Sequence, residues 1–476
     1  MFDKIDGVIL AISNVLYQPY IVPLFLVAAG IIFTVRTKLI QVSLFKESIK
    51  VVTEKPTEEG GVSSFGALMV STASRVGTGN IIGVATAIIS GGPGAIFWMW
   101  ITAFIGGATA FVESTLAQIY KKRDDDGRCL GGPSYYMRDA LHAKWLGVIF
   151  SIFIVVTYAV GYNMLAAYNL QSTFAVFDFY GKRTPYVIGI ILAALFGLII
   201  IGGVHRLTRT TGVMVPAMGI IYVLVSIIVI IMNAKNIPSM FGEIFKNAFD
   251  FKAIFAGFAG SCLMFGLKRG LYSNEAGMGS APNAAARAEI SHPAKQGLVQ
   301  MLSVFIDTLL ICSATALMCL STDVAPSGFL ASDGTADAAG YVQMSIHSAL
   351  GGFGPIFIAI SMSLFAFTTL IGNYSYVESN IAFILGRNMS KAGTLAFRIF
   401  ATILVFVGSI ASASLVWDMA DMCQGLMVVT NIPSILILGG VAIKCLNDYT
   451  KQKKGGLDPH FIAKNIGLKQ KTDYWN

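Results

Sequence analysis

Two short stretches carry residue types that a helix in an apolar chain normally avoids. The first is Gly77-Thr78-Gly79-Asn80. The second is Phe265-Gly266-Leu267-Lys268-Arg269-Gly270, followed by Ser273-Asn274-Glu275-Ala276-Gly277-Met278-Gly279. A glycine inside a helix costs about 1 kcal/mol relative to alanine, so both stretches are read as interruptions. An interruption frees backbone groups for chemistry. Unwinding at Gly77 to Asn80 releases N–H groups ahead of a half-helix starting near Ile81, an end that suits a carboxylate. Unwinding at Met264, Phe265 and Gly266 releases carbonyls, which accept from an ammonium group and also suit a hard cation. The second stretch holds Lys268, Arg269 and Glu275, Arg75 stands just before the first, and other apolar blocks hold Glu113, Asp307 and Glu378. Burying charge in lipid is costly, so each is a functional suspect. Arg75, Lys268 and Arg269 could pair with Glu275 or Glu378 as a gate latch; a basic vestibule that merely solvates helix ends is the equal alternative. Asp307 either tunes an ion site, takes a proton, or makes a structural hydrogen bond.

The elements that must hold these groups are membrane spans. Of 476 residues, 55% are hydrophobic and 13% charged, and mean hydropathy is +0.69; soluble domains carry about 25% charged residues. Blocks such as Tyr186 to Gly203 and Met214 to Met232 are long enough to cross a hydrocarbon layer about 30 Å thick. The pattern predicts eleven spans, near 15–35, 65–89, 94–119, 146–173, 186–203, 213–233, 253–285, 297–321, 350–385, 394–412 and 417–444. With the first loop placed inside, most Lys and Arg fall in inner loops, among them Arg206, Arg209 and Arg387. The outside keeps Lys4, Lys182, Arg183, Lys235, Lys246 and Lys252. The positive-inside rule then sets the amino terminus outside and the carboxyl terminus in the cytoplasm.

The net charge of +8 is thus a topology signal with an anionic-lipid contact as its other use; no nucleic-acid partner is expected. The acidic loop 323–337 belongs outside. An amphipathic helix is expected around Val42 to Val52, and the lysine-rich tail after Cys445 is expected to be partly disordered. Met1 to Gly7 does not read as a signal peptide. Five of the six cysteines read as small buried hydrophobes, with no disulfide framework. No GxxxxGK[ST] loop, metal or nucleophile cluster, or TVGYG filter occurs, which argues against a primary pump, a membrane enzyme and a tetrameric channel.

The interrupted spans lie five apart. Five is odd, so a second five-helix unit is inserted upside down relative to the first, the inverted-repeat plan of secondary transporters. The expected division is 1–62 (an extra helix and cytoplasmic connector), 63–235 (first repeat), 253–445 (second repeat) and 446–476 (basic tail). The fold class is all-α and polytopic.

Gly91-Gly92-Pro93-Gly94-Ala95-Ile96-Phe97-Trp98-Met99-Trp100-Ile101-Thr102-Ala103-Phe104-Ile105-Gly106 resembles the signature of the alanine or glycine:cation symporters, also called sodium:alanine symporters. The blocks Val76 to Ala87, Arg269 to Ala286 and His292 to Leu309 are similar to the same family. The resemblance runs over nearly the whole chain. It implies uptake of alanine, glycine or, in some members, glutamine across the cell membrane, driven by Na+ or, as the alternative, by protons. It also implies the ten-helix fold of the neurotransmitter:sodium symporters, with no organic cofactor. The oligomeric state stays open, a monomer included.

By the same resemblance, a zwitterionic amino acid would meet Gly77, Thr78, Gly79 and Asn80 through its carboxylate, and Met264, Phe265 and Gly266 through its ammonium. The resemblance makes Asn80 a sodium ligand, and Thr368 and Thr369 with the Ala73 and Val76 carbonyls a second sodium site. Threonines that bond their own helix carbonyls are the bland alternative. Two positions depart from the family pattern: Ala166 stands where glutamine is usual and Asn373 where tryptophan is usual. Both are expected to face the pocket, enlarging it and suiting a larger or more polar substrate such as glutamine. Trp98 and Trp100 are read as packing residues.

Overall fold

In lipid a segment must satisfy its backbone N–H and C=O groups internally, so apolar blocks become helices. The computed structural model describes the chain except residues 1, 59–60, 125–126, 202–203, 333, 387–389, 469, 471 and 476, and the side chains of 2–5 and 204–211. Lys4, Arg206, Arg209, Arg387, Lys469 and Lys471, counted for topology, lie outside the described side chains.

The chain opens with α1 (Phe2–Leu16), α2 (Val22–Arg36) and two short helices, α3 (Ile40–Ser43) and α4 (Phe45–Val52). Next come α5 (Ser64–Arg75), α6 (Val84–Gly91) and α7 (Gly94–Ile119). A small antiparallel hairpin, β1 (Lys122–Arg123) and β2 (Cys129–Leu130), leads to α8 (Pro133–Asp139), α9 (Lys144–Val155) and α10 (Tyr162–Ser172). The middle of the chain forms α11 (Thr184–Ile201), α12 (Val204–Met232), α13 (Ile237–Ala248), α14 (Phe251–Ala256), α15 (Cys262–Asn274) and α16 (Ala281–Ala285). It ends with α17 (Pro293–Val304), α18 (Ser313–Leu320), α19 (Ala338–Leu350), α20 (Phe353–Leu385), α21 (Lys391–Ser409) and α22 (Ala413–Lys454).

Eight of the described helical stretches are long and apolar enough to cross a bilayer uncut. Of the other three expected spans, 15–35 is mainly the shorter helix α2, while 65–89 and 253–285 are divided, as α5 with α6 and α15 with α16. The amphipathic connector is present as α3 and α4. Three wide π turns, at Gly79–Gly83, Val156–Gly161 and Phe305–Cys312, were not expected from the sequence.

The tail differs from expectation. Helix α22 runs on to Lys454, and the chain beyond it folds back, burying Phe461 and Trp475. A reading by lysine content overlooked these rings, whose burial holds the segment in place. All six cysteines are buried and free.

Candidate functional site

Helix α5 stops at Arg75, and the backbone stays irregular through Val76 before the π turn begins at Gly79. The Gly77 N–H donates to Asn80 Oδ1 at 2.8 Å, and the Asn80 N–H reaches Gly77 O at 3.2 Å. In an unbroken helix those two amides would satisfy the Ala73 and Val76 carbonyls. Both carbonyls thus lack those helical partners, while the Gly77 and Asn80 amides, expected to be free, are engaged within the interruption. Gly77 is required by closeness: a Cβ there would collide with the Thr369 hydroxyl. At Gly79 a Cβ would lie 2.7 Å from the Tyr272 ring.

The second interruption is not where the sequence reading put it. Met264, Phe265 and Gly266 lie in the first turns of α15, capped by the Ser261 hydroxyl, and their carbonyls are spent on the helix. The helix gives way eleven residues later, at Glu275 (φ 56°), Gly277 (φ 88°) and Gly279 (φ 83°). Gly266 has another purpose: a Cβ would meet Ala95 O at 2.5 Å and Trp98 Cβ at 2.7 Å. It is a close-packing glycine between α15 and α7, the small-residue device of membrane helices.

Between the two interruptions sits Asp307, fully buried. Its Oδ1 accepts from Asn80 Nδ2 at 2.7 Å. Its Oδ2 accepts from the Ser273 hydroxyl at 2.6 Å and the Thr308 hydroxyl at 2.8 Å. These hydrogen-bond partners are all neutral, so the Asp307 carboxyl is buried with an amide and two hydroxyls and no cationic hydrogen-bond partner among the described residues. The π turn Phe305–Cys312 explains the clustering. Bonding i to i+5 stacks residues five apart, so Cys312 joins Asp307 at Asn80, with the Asn80 Nδ2 to Cys312 Sγ distance at 3.2 Å.

The threonine pair separates. Thr368 bonds its own helix, at 3.0 Å to Leu364 O and 3.1 Å to Phe365 O, which is the bland alternative. The buried Thr369 Oγ1 has no hydrogen-bond partner among the described residues and faces Gly77. We predict that Thr369→Val abolishes sodium dependence of uptake while Thr368→Val retains it. Equal behaviour of the two variants would remove Thr369 from the ion path.

The charged residues pair more widely than expected. Arg75 approaches Glu275 at 4.0 Å across the two interruptions, and both are buried. Ser74 donates to Glu275 at 2.9 Å or to Asn373 at 2.8 Å. Arg269 and Lys268 meet neither Glu275 nor Glu378. Arg269 forms a two-pronged bond to Asp421 on α22 (3.1 and 3.2 Å) and stacks on Trp417 at 4.1 Å, while Lys268 reaches Asp421 at 3.2 Å. Glu378 pairs with Arg287 at 3.8 Å instead. Glu113 accepts from Asn431 Nδ2 at 2.9 Å and faces the Gly277 amide at 3.4 Å. Trp98 and Trp100 donate to Ala248 O and Ser313, as packing residues would.

Above the first interruption lies a cavity of about 900 Å³ lined by Ile82, Thr86, Asn169, Phe265, Arg269 and Trp417. It opens on the face of the 328–339 loop. Tyr272 packs over Gly79 behind the lining residue Trp417, in edge contact with Trp417 at 5.4 Å and Tyr162 at 4.9 Å. Thr78 meets the Tyr272 hydroxyl at 3.3 Å and accepts from Asn169 at 3.2 Å. Ala166 and Asn373 do not line this cavity. Asn373 is instead tied to Ser74 and to Asn163, the latter at 3.0 Å. Through Ser74, Asn373 adjoins Glu275 at the second interruption. Tyr162, Tyr272, Trp417 and Asp421 were not singled out from sequence; only Tyr272 falls inside a motif that resembles the family.

Two interrupted helices that meet one another within a polytopic helical bundle make the architecture of a secondary transporter. A mutant of the Eremococcus coleocola manganese transporter has this fold at TM-score 0.50 and 14% identity, over 87% of this chain and 81% of that one. A profile of the sodium:alanine symporter family matches residues 2–463. AlsT, an amino-acid carrier protein of Bacillus subtilis (strain 168), is 44% identical over 451 residues, 94% of each chain. "Probable sodium/glutamine symporter GlnT" of the same organism is 42% identical, over 95% of this chain and 92% of its own. Sodium/alanine symporter AgcS of Methanococcus maripaludis is 36% identical, over 93% and 97%. The chain belongs to the sodium:alanine symporter family: it is a multi-pass, sodium-coupled membrane transporter and not an enzyme.

Proposed function

We propose that the chain carries alanine or a similarly small neutral amino acid inward with Na+, and that its amino terminus lies outside and its carboxyl terminus in the cytoplasm. The observation that carries the reading is the buried Asp307, held by Asn80, Ser273 and Thr308 between the two interruptions. In this reading one cation binds there, and a second binds Thr369 with the Ala73 and Val76 carbonyls. The substrate carboxylate meets the amides of Thr78 and Gly79, beneath the Tyr272 ring, since those of Gly77 and Asn80 are engaged within the interruption. Its ammonium group is left to the Glu275–Gly279 segment, because Met264, Phe265 and Gly266 lie inside a helix. The cavity above Tyr272 is then the outer vestibule, and the Arg269–Asp421 pair on its wall is the outer gate. Residues 63–235 and 253–445 are the two repeats of the moving core.

Glutamine stays within the proposed range because the relative GlnT is named for it. Coupling to protons as well is the second reading, supported by a relative from Bacillus sp. (strain PS3) named a sodium/proton-dependent alanine carrier protein. The test is uptake of labelled alanine, glycine and glutamine into proteoliposomes under an imposed sodium or proton gradient. Concentrative alanine uptake with sodium alone supports the proposal; uptake with protons alone moves the coupling to the buried carboxylates; no uptake of any of the three overturns it.

A further inference from the structure

The two interrupted helices leave the vestibule's opposite face side by side. The lead-in to α5 and the exit from α16 are stitched there: Val62 bridges Ala288, the Glu289 N–H donates to Val62 O at 2.9 Å, and Thr57 N–H to Glu289 O at 3.1 Å. Any opening of this face must part that stitch, because alternating access swings the inner halves of the interrupted helices.

The chain's last residues lie directly across it. Trp475 is 5% exposed and donates its indole N–H to Gln118 O at the end of α7 (2.9 Å). Gln118 in turn donates to Ala285 O and Ala288 O at 2.5 and 2.9 Å. Lys121 donates to Ala288 O at 2.8 Å and sits under the Tyr474 ring at 4.4 Å. The Tyr474 hydroxyl takes the Arg123 Nε–H at 2.8 Å, and Arg123 also pairs with Glu58 on the α5 lead-in. At the other edge the Phe461 N–H donates to Ser291 O at 2.9 Å, and the Ala463 N–H closes the segment onto Trp475 O at 2.7 Å. The segment therefore fastens both sides of the stitch, and the helix α7 beside them, to the end of α22.

We infer that the carboxyl-terminal segment from Asp458 to Trp475 is a strap that holds the inner gate of this transporter shut, so that the gate opens only when Tyr474 and Trp475 leave their seats. The inference rests on the alternating-access reading above. A segment that merely filled space would need no contact with both interrupted helices. This one reaches the exit of α16 through Gln118 and Lys121, and the lead-in of α5 through Arg123 and Glu58.

The test is made on full-length protein carrying a reporter Ala67→Cys, on the buried inner half of α5, in proteoliposomes that also report sodium-driven alanine uptake. Loss of an aromatic anchor with its hydrogen bond removes on the order of 1.4 kcal/mol from the closed state, so Trp475→Ala should raise maleimide labelling of the reporter about tenfold. Tyr474→Phe, which keeps the ring and loses only the hydroxyl, should raise it to a smaller degree. The buried Cys319 and Cys423, away from the ion site, should stay unlabelled. If Trp475→Ala exposes those two cysteines, the protein has loosened generally, and Tyr474→Phe alone decides. Labelling at the parental rate in a folded variant overturns the strap. A parent that takes up no amino acid would overturn the transport reading instead, while the labelling comparison would still report whether the segment governs opening of this face.

Discussion

Asp307→Asn is expected to lower the apparent sodium affinity of uptake at least about a hundredfold. The substitution keeps the shape and most hydrogen bonds of the side chain, so what it removes is charge. A unit charge 4 Å from a cation, at an effective dielectric of about 20, contributes about 4 kcal/mol, or close to a thousandfold in affinity. The Ser273 and Thr308 hydroxyls remain as neutral oxygen ligands and recover part of that loss. The measurement is the sodium concentration giving half-maximal uptake, with alanine held saturating. An unchanged value would show that Asp307 is a structural hydrogen-bond acceptor. A variant that keeps its sodium dependence but loses a dependence on external pH would favour the proton reading.

The second large effect is expected at Arg75 and Glu275. Both side chains are buried, so removing one partner leaves the other as an uncompensated charge, at a cost of about 3–5 kcal/mol. Arg75→Gln and Glu275→Gln should each lower the thermal midpoint of the purified protein sharply and abolish uptake. The double variant Arg75→Gln with Glu275→Gln removes both charges and should recover most of the midpoint, because a neutral pair avoids the desolvation penalty. Uptake should not recover. The pair spans the two interruptions at 4.0 Å, and the Arg75 Nε and Nη2 groups make no hydrogen bond among the described residues. A loosely made pair of this kind can be remade as the helices move. Recovery of uptake in the double variant would reduce the pair to scaffolding.

What the sequence disclosed follows from periodicity and composition. Length and hydropathy alone place the spans, because lipid imposes one solution on an apolar block. The first interruption was legible at Gly77-Thr78-Gly79-Asn80, where two glycines and an asparagine coincide. The second was legible as a region and misplaced within it, since a glycine serves unwinding and close packing alike. Gly266 and Gly277 differ in what stands beside them, Trp98 and Ala95 for one and a left-handed backbone for the other, and only coordinates show that. Long-range pairing was likewise hidden. Arg269 announces a charge in a span, but its partner Asp421 lies 152 residues away on a helix read as plain. Thr368 and Thr369 are neighbours of the same type whose hydroxyls point to different fates, a matter of helix rotation against Gly77. The tail misled because its lysines outnumber its four aromatic rings, although the rings fix its position.

The wide turn at Phe305–Cys312 has a consequence for descent. An α helix acquires such a turn when one residue is added between hydrogen-bonded ends that otherwise keep their places. Counted in codons, one triplet removed from this stretch would let the helix close to ordinary spacing and part Asp307 from Cys312. The flanking helices would still face their present neighbours. Ion coupling could then be lost or gained in a lineage by a single in-frame change of length, with every liganding residue type intact. Among relatives with altered coupling, the informative difference is a one-residue gap between Phe305 and Cys312 rather than a substitution at Asp307.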